Sequence, residues 1–190
     1  LTTIKTEALT LRGVSLGGVY TSIYVPELGA LFDVGIPSRS CAPADFLFLS
    51  HGHTDHAGAL PAYLGIRGLI GKQKPPTVFM PAQIVDAVQK SLTHMSELQR
   101  YDLSIDAVPM VPGALAPIRG DLYVRAFETH HVVPSLGYSL IRKIKKLRSE
   151  FASLAGHEIA SRKRAGEELF YVEERTEISY CTDTLIQALD

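Results

Sequence analysis

Residues 46–60 read FLFLSHGHTDHAGAL, and this stretch sets the centre of the predicted fold. The run is continuously apolar until Ser50, which is typical of a strand buried on both faces. Three histidines and an aspartate follow within six positions, at 51, 53, 55 and 56. A buried strand therefore carries a dense group of polar side chains to one edge of the predicted sheet.

The pattern H-x-H-x-D-H has spacing that suits a metal site. Residues two apart in an extended segment point the same way, so His51 and His53 can share one ion. Where the chain turns into a helix, Asp55 and His56 can reach a second ion beside the first. Imidazole and carboxylate suit Zn²⁺, and also Mn²⁺ or Fe²⁺. The alternative is a solvated polar loop, and the buried strand directly before the cluster favours the metal site.

Composition bounds the class of protein. With 190 residues, of which 46% are hydrophobic and 21% charged, we expect one domain over residues 1–190. The net charge of -1 gives no overall argument for nucleic acid or membrane binding. The two cysteines, Cys41 and Cys181, exclude a thiolate zinc cluster and favour a reducing compartment. No signal-like or membrane-length apolar stretch occurs, so we expect a cytoplasmic protein with no membrane partner; an organellar enzyme without its transit peptide would look the same.

Strands outnumber helices along the chain, yet helices intervene between them, which indicates an α/β fold with a mixed sheet. Residues 20–25 and 30–34 are predicted to form a hairpin. Helices are expected over 57–69 and 82–98, and residues 145–166 are charged and weakly helical. The remaining predicted strands cover 46–50, 77–81, 104–111, 121–128, 136–142, 169–172 and 177–181.

The segment SHGHTDHAGALP (50–61) resembles the signature of the metallo-β-lactamase superfamily. The resemblance implies a four-layer αββα sandwich with one or two metals at the rim between its sheets. That superfamily includes β-lactamases, glyoxalase II, lactonases, phosphodiesterases and nucleases. By itself, the motif therefore implies metal-assisted hydrolysis and little more.

Three further segments narrow the resemblance to ribonuclease Z, the tRNA 3′-processing endonucleases. LFDVG (31–35) resembles the motif after the first hairpin of the superfamily, ETHHVVPSLGYSL (128–140) resembles a stretch of ribonuclease Z, and ISYCTDT (178–184) resembles the later segment that ends in Asp-Thr. The resemblance implies that Asp33 holds a ligand histidine by a hydrogen bond, that His131 is a metal ligand and that Asp183 bridges two metals. His130, beside a ligand, would support it in the same way. Asp55 would also accept a proton from the attacking water. Thr182 stands where the family usually has Gly, a departure that leaves the ligand in place.

A basic segment covers residues 142–164, with eight Lys and Arg against two acids. It resembles the linker of short ribonuclease Z of the plant type, and a concentrated positive patch suits a phosphate backbone. An ordinary solvated face is the alternative for a charge run alone. The residues expected to contact RNA are Arg142, Lys143, Lys145, Lys146, Arg148, Arg162, Lys163 and Arg164.

The resemblance also implies one more metal-binding histidine after Asp183, and a later histidine that protonates the leaving group. Only TLIQALD (184–190) follows, which has no histidine and is predicted to begin a helix or turn. We therefore expect a piece of a longer protein, with an incomplete sandwich and partial metal occupancy. Two alternatives are a second chain that completes the site and a natural degenerate relative.

The function predicted from the sequence is a two-zinc phosphodiesterase that removes the 3′ trailer from precursor tRNA and leaves a 3′-hydroxyl. A homodimer is expected by resemblance alone. One alternative is another hydrolase of the superfamily that acts on a thioester, lactone or small phosphodiester. A different alternative is a non-catalytic RNA-binding or dimerising remnant.

Overall fold

The first three residues of the apolar run, Phe46–Phe48, form an interior strand of a seven-stranded sheet. A computed structural model of the protein describes residues 1–185. In this sheet the strands lie side by side in chain order. They are β1 (Thr2–Lys5), β2 (Thr10–Leu16), β3 (Tyr20–Val25), β4 (Ala30–Phe32), β5 (Phe46–Phe48), β6 (Thr77–Pro81) and β7 (Asp106–Met110).

Strands β1 to β4 pair with one another in antiparallel fashion, and strands β4 to β7 pair in parallel. Because parallel neighbours need a crossover, the helical segments of this sheet fall between β5 and β7. They are α1 (Thr54–Ala57), α2 (Leu60–Leu69), a 3-10 turn (Ala82–Ile84) and α3 (Val85–Gln99). The sequence predicted both helical regions, with the second interrupted at its start by the 3-10 turn.

Both faces of the parallel strands are buried, and the alternation of side chains sorts them by type. On one face Leu31, Leu47 and Val78 occupy the same register and join the core with residues of α2 and α3. On the other face Phe32, Phe48 and Phe79 stack in a ladder with centroid separations of 5.2 and 4.9 Å. An apolar run buried on both sides therefore fits this central position.

The chain divides into two compact units, each described by itself. The first comprises Leu1–Ala114, Ala126–Tyr138 and the chain from Tyr180 onward; the second comprises Leu115–Arg125 and Ser139–Ser179. A four-stranded sheet has the order β11-β10-β9-β8. Its strands are β8 (Leu115–Arg119), β9 (Leu122–Glu128), β10 (Leu136–Leu147) and β11 (Phe170–Tyr180), with a 3-10 turn (Ser149–Phe151) and α4 (Gly156–Arg164) between the last two.

The predicted α/β class is confirmed, and the differences lie where side chains are exposed. Strands β1, β2 and β8 were not predicted, because their mostly exposed or half-buried residues carry little hydrophobic pattern. The two strands predicted over 169–172 and 177–181 are one strand, β11. The charged residues at 173–177 lie within this edge strand, where they form ion pairs. The predicted helix or turn over 184–190 lies, from residue 186, outside the described residues.

The basic segment also differs from its prediction. Strand β10 runs on to Leu147, and the helix is confined to Gly156–Arg164. Within residues 1–185, no helix combines the length and the hydropathy that crossing a bilayer requires.

Arg67 is a buried cation that fixes α2 to the loop before β5. Its guanidinium donates to the carbonyl oxygens of Ala42 (3.0 Å), Ala44 and Lys74 (3.2 Å), and to Asp45 Oδ1 (3.0 Å). Three backbone acceptors thus obtain a hydrogen-bond donor from one side chain, and Ala44 also accepts from the Tyr63 hydroxyl at 2.7 Å. Without Arg67 the buried carbonyls of Ala42 and Ala44 would each lose a donor.

We expect Arg67→Met to lower the free energy of unfolding by about 2–4 kcal/mol, because it removes a donor from the buried carbonyls of Ala42 and Ala44. Lys72→Met is the matched control, since Lys72 pairs with the same Asp45 at 2.9 Å but is more than a third exposed. Its loss should cost less than about 1 kcal/mol. Urea denaturation followed by circular dichroism measures both, and equal losses would contradict the role assigned to Arg67.

Candidate metal centre

The candidate site begins at the common edge where β4 and β5 end. Asp33 follows β4 directly, and its backbone N–H donates to the carbonyl of Phe48 at 3.0 Å. Ser50 and His51 come just after β5. Because parallel neighbours end at the same edge of a sheet, Asp33 meets the histidine segment there.

Gly35 lets the two segments approach closely. A Cβ at this position would lie 1.8 Å from the carbonyl oxygen of Asp55, so no other residue fits. Two backbone hydrogen bonds hold this contact. The Val34 N–H donates to the His56 carbonyl (2.6 Å), and the Ala59 N–H donates to the Val34 carbonyl (2.9 Å). The polar cluster is therefore held against the segment that carries Asp33.

Three histidines form the first group of possible ligands: His51, His53 and His131. One nitrogen from each lies within 4.8 Å of the others, and His131 Nε2 is 3.1 Å from His53 Nδ1. The rings meet edge to face, with centroid separations of 4.7 to 4.9 Å. His131 comes from the segment between β9 and β10, far from the H-x-H-x-D-H cluster in sequence.

The second group consists of His51, His56 and Asp183, whose ligand atoms also lie within 4.8 Å of one another. Asp183 Oδ2 lies 3.3 Å from His56 Nε2 and 3.9 Å from His51 Nε2. Asp55 Oδ2 is 3.5 Å from the same His56 nitrogen. His51 belongs to both groups, whereas the sequence assigned it to one ion only.

The donor chemistry of these groups fits a metal. His51 is fully buried, and its Nε2 has no hydrogen-bond partner among the described residues, although buried polar atoms are normally paired. Burial, helped by the neighbouring His56, lowers the pKa of His51 to about 4, so its ring is neutral near pH 7. A neutral imidazole nitrogen close to three other histidines and a carboxylate suits a divalent metal.

Asp33 orients His56 for such a role. Its Oδ2 accepts hydrogen bonds from His56 Nδ1, Ser50 Oγ and Tyr180 OH, each at 2.7 Å, and its Oδ1 accepts from the Ser50 N–H at 2.7 Å. Burial lowers the pKa of His56, but the hydrogen bond and charge of Asp33 outweigh it and raise the pKa above its usual value. With its proton on Nδ1, His56 presents Nε2 to Asp183 and Asp55.

The sequence did not identify Ser50 and Tyr180. Both lie inside motifs that were singled out, one directly before His51 and one three residues before Asp183. Ser50 Oγ also lies 2.9 Å from His51 Nδ1. Their positions beside predicted ligands could have marked them as candidates, but only the fold shows that both donate hydrogen bonds to Asp33.

The side chain of His130, unlike that of His131, is not part of either ligand group. Its side chain is exposed, whereas its backbone N–H donates to Thr184 Oγ1 at 2.8 Å and its carbonyl accepts from Leu185 at 3.3 Å. These bonds join the segment of His131 to that of Asp183. The predicted support of a ligand by the His130 side chain stays a prediction.

Five of the eight predicted RNA-contact residues pair with acids of the second unit. The pairs are Arg142 with Asp121 (2.7 Å) and Glu177 (3.0 Å), Lys143 with Glu174 (3.7 Å), Lys146 with Glu173 (2.7 Å), Arg148 with Glu168 (3.9 Å), and Arg162 with Glu167 (3.4 Å). Within residues 1–185, the remaining three have no carboxylate within 4 Å: Lys145, Lys163 and Arg164. The segment is thus largely charge-compensated by β11 and the residues before it.

Sequence comparison identifies relatives that cover nearly all of the chain. It is 36% identical over 166 residues to a nuclear ribonuclease Z of Triticum aestivum, which covers 87% of this chain and 94% of that protein. It is 37% identical over 182 residues to the chloroplastic tRNase Z TRZ2 of Arabidopsis thaliana, covering 95% of this chain and 51% of that relative. The chain thus spans about half the length of the second protein. No protein-family model matches it.

Two solved structures are similar at lower identity. The short form of human tRNase Z has a TM-score of 0.48 and 19% identity, covering 70% of this chain and 57% of that one. The metallo-beta-lactamase fold protein YhfI of Bacillus subtilis has a TM-score of 0.48 and 16% identity, covering 67% and 52%.

Identity of more than a third across almost the whole Triticum aestivum protein decides the family. The mixed-sheet α/β fold and the histidine-rich edge agree with the fold class and the ligand cluster that the sequence predicted. The chain belongs to the ribonuclease Z family.

Because His51 is shared, its substitution should affect both ligand groups. Relative to the zinc that the wild-type chain retains, we expect His53→Ala to retain about half and His51→Ala clearly less than half. His94→Ala is the control, since His94 is exposed on α3 and pairs only with Glu97 at 3.6 Å among the described residues. Elemental analysis after exhaustive buffer exchange gives the ratios. Wild-type zinc content in His51→Ala would refute the shared-ligand arrangement.

Proposed function

We propose that this chain is a metal-dependent endoribonuclease that removes the 3′ trailer from precursor tRNA and leaves a 3′-hydroxyl. The observation that carries the proposal is the pair of adjacent ligand groups that share His51. Membership of the ribonuclease Z family supplies the substrate class. Since the chain spans only about half of one of these relatives, the activity of the whole protein is part of the proposal.

The proposed cofactor is a pair of Zn²⁺ ions, and the same nitrogen and oxygen donors suit Mn²⁺ or Fe²⁺. His51, His53 and His131 would hold one ion; Asp55 and His56 would hold the other, and Asp183 would contribute to both. His51 belongs to both groups by distance, so it would bind the first ion directly and lie beside the second. Metals bound in this way lower the pKa of water towards neutrality and offset negative charge on a phosphodiester.

The side chains around the ligands have separable tasks in this proposal. Asp55 is at the surface of the cluster, 3.5 Å from His56 and 15% exposed, where it can accept the proton of the attacking water. Asp33 keeps His56 in one tautomer and one orientation through its hydrogen bond to Nδ1. The water adds to the phosphorus after the discriminator nucleotide, and the bond between that phosphorus and the discriminator's 3′ oxygen breaks. The 3′ oxygen takes up a proton and becomes the 3′-hydroxyl of the tRNA, and the trailer keeps the phosphate.

Charge is unevenly distributed, and this supports RNA contact in the second unit. That unit carries eleven Lys and Arg against eight Asp and Glu, a net charge of +3, while the first carries eight against twelve, a net charge of −4. Phosphate contacts need cations that are not already neutralised by neighbours. Among the eight predicted residues, Lys145, Lys163 and Arg164 meet this condition best.

We further propose a single metallo-β-lactamase-type domain over residues 1–190 and a homodimer, both of which rest on resemblance. Sedimentation at several concentrations tests the dimer. The proposed location is the cytoplasm, with an organelle as the alternative because one relative is named chloroplastic. Imaging of a fluorescent fusion of the full-length protein distinguishes the two.

The decisive experiment incubates zinc-loaded chain with a precursor tRNA that carries a 3′ trailer. We expect cleavage at the discriminator with a 3′-hydroxyl product, and a loss of about 100-fold or more in Asp55→Asn. His94→Ala should cleave normally. Hydrolysis of a lactone, thioester or small phosphodiester without tRNA cleavage would favour another hydrolase. RNA binding with no turnover of any substrate would favour a non-catalytic remnant.

Binding of precursor tRNA should depend on unpaired lysines more than on paired ones. We expect Lys145→Gln to weaken binding and to reduce the slope of log K against log salt by about 1. Lys146→Gln is the matched control, because Lys146 is one residue away but already pairs with Glu173 at 2.7 Å. Filter binding at several salt concentrations measures both variants, and an unchanged slope for Lys145→Gln would remove this residue from the RNA contact.

A further inference from the structure

Tyr180 lies at the junction between β11 and the segment that carries Asp183. Its ring stacks on Phe32, with centroids 4.8 Å apart and planes inclined by 27°. Its hydroxyl donates to Asp33 Oδ2 at 2.7 Å, although the two residues are 147 positions apart in sequence. Both contacts fall at the end of β4, so the last residue of β11 is fixed to the edge of the seven-stranded sheet.

The carboxylate that accepts this bond is buried and accepts several other hydrogen bonds. Asp33 is fully buried, and its Oδ2 receives Tyr180, Ser50 Oγ and His56 Nδ1 at the same distance. A short O–H···O⁻ bond is charge-assisted and therefore stronger than a neutral one. Losing one of the three donors would leave part of the carboxylate charge uncompensated and free the carboxylate to rotate.

The position of Tyr180 also constrains Asp183. Only Cys181 and Thr182 separate them, and Asp183 adopts a φ of 43°, a tight bend that directs its carboxylate to His56. One residue is therefore attached to Asp33, which orients His56, and stands next to the bend that presents Asp183. Both sides of the His56–Asp183 contact depend on where Tyr180 is placed.

We propose that Tyr180 is a positioning residue that couples Asp183 to the Asp33–His56 pair and sets the metal affinity of the second ligand group, His51, His56 and Asp183. It acts through these residues and touches no proposed substrate atom. Among the described residues, Tyr180 makes no hydrogen bond or ring contact with His51, His53 or His131, the first group. The inference rests on the proposed metal centre and predicts that the two groups respond differently to one hydroxyl.

The test separates the groups with two background variants of the full chain. His53→Ala retains the second group, and Asp183→Asn retains the first. Tyr180→Phe is added to each, because it removes the hydroxyl and keeps the ring that stacks on Phe32. Zinc affinity is measured by competition with a chromophoric chelator, and cobalt absorption spectra report the coordination of the ion that is bound.

The matched control is Tyr63→Phe. This change also removes a buried hydrogen bond, because the Tyr63 hydroxyl donates to the Ala44 carbonyl at 2.7 Å. Among the described residues, Tyr63 has no hydrogen bond to Asp33. A general loosening of the fold would therefore appear in both phenylalanine variants. Circular dichroism and thermal unfolding of each variant confirm that the chains compared are folded.

We expect Tyr180→Phe to weaken zinc binding about 10–100-fold in the His53→Ala background and less than about twofold in the Asp183→Asn background. Tyr63→Phe should change neither. Equal losses in the two backgrounds, or no loss in His53→Ala, would overturn the role of Tyr180 while the metal centre stands. A wild-type chain that binds no zinc would overturn the metal centre itself, and the inference with it.

Discussion

A buried carboxylate, that of Asp33, is the constraint on which the candidate site depends. Removing a charge from water is costly unless donors surround it, and Asp33 obtains four of them from three parts of the chain. Satisfying it draws together the end of β5, the start of the helical region and the end of β11. The same bonds that offset its burial hold His56 in the orientation that a metal ligand needs.

The seven-stranded sheet supplies a rigid base for that arrangement. Its parallel strands are buried on both faces, with aliphatic side chains towards α2 and α3 and a phenylalanine ladder on the other side. Tyr180 and Tyr138 join the ladder from the aromatic side, at Phe32 and Phe48. Close packing of this kind limits movement of the strand ends, so the backbone from which the polar side chains project is held in place.

The second unit follows a different physical logic. Its strands β10 and β11 are rich in charge. Five of the eight basic side chains counted in the sequence pair with acids, and three of these pairs join β10 to β11. The segment is strongly positive in the sequence, but these ion pairs leave it only moderately positive in the folded protein. The unpaired cations, Lys145, Lys163 and Arg164, are fewer and more specific candidates for phosphate contacts than the original eight.

Local spacing in the sequence determined the buried strand at 46–48, the hairpin of β3 and β4, both helical regions and the cluster from His51 to His56. Each of these depends on residues close in the chain, where periodicity and ligand spacing are direct signals. Only the tertiary structure decided that His51 faces two groups, that His131 reaches His53 across 78 positions, and that Ser50 and Tyr180 serve Asp33. Contacts of this range depend on strand order and on the packing of both sheet faces, and no local pattern encodes them.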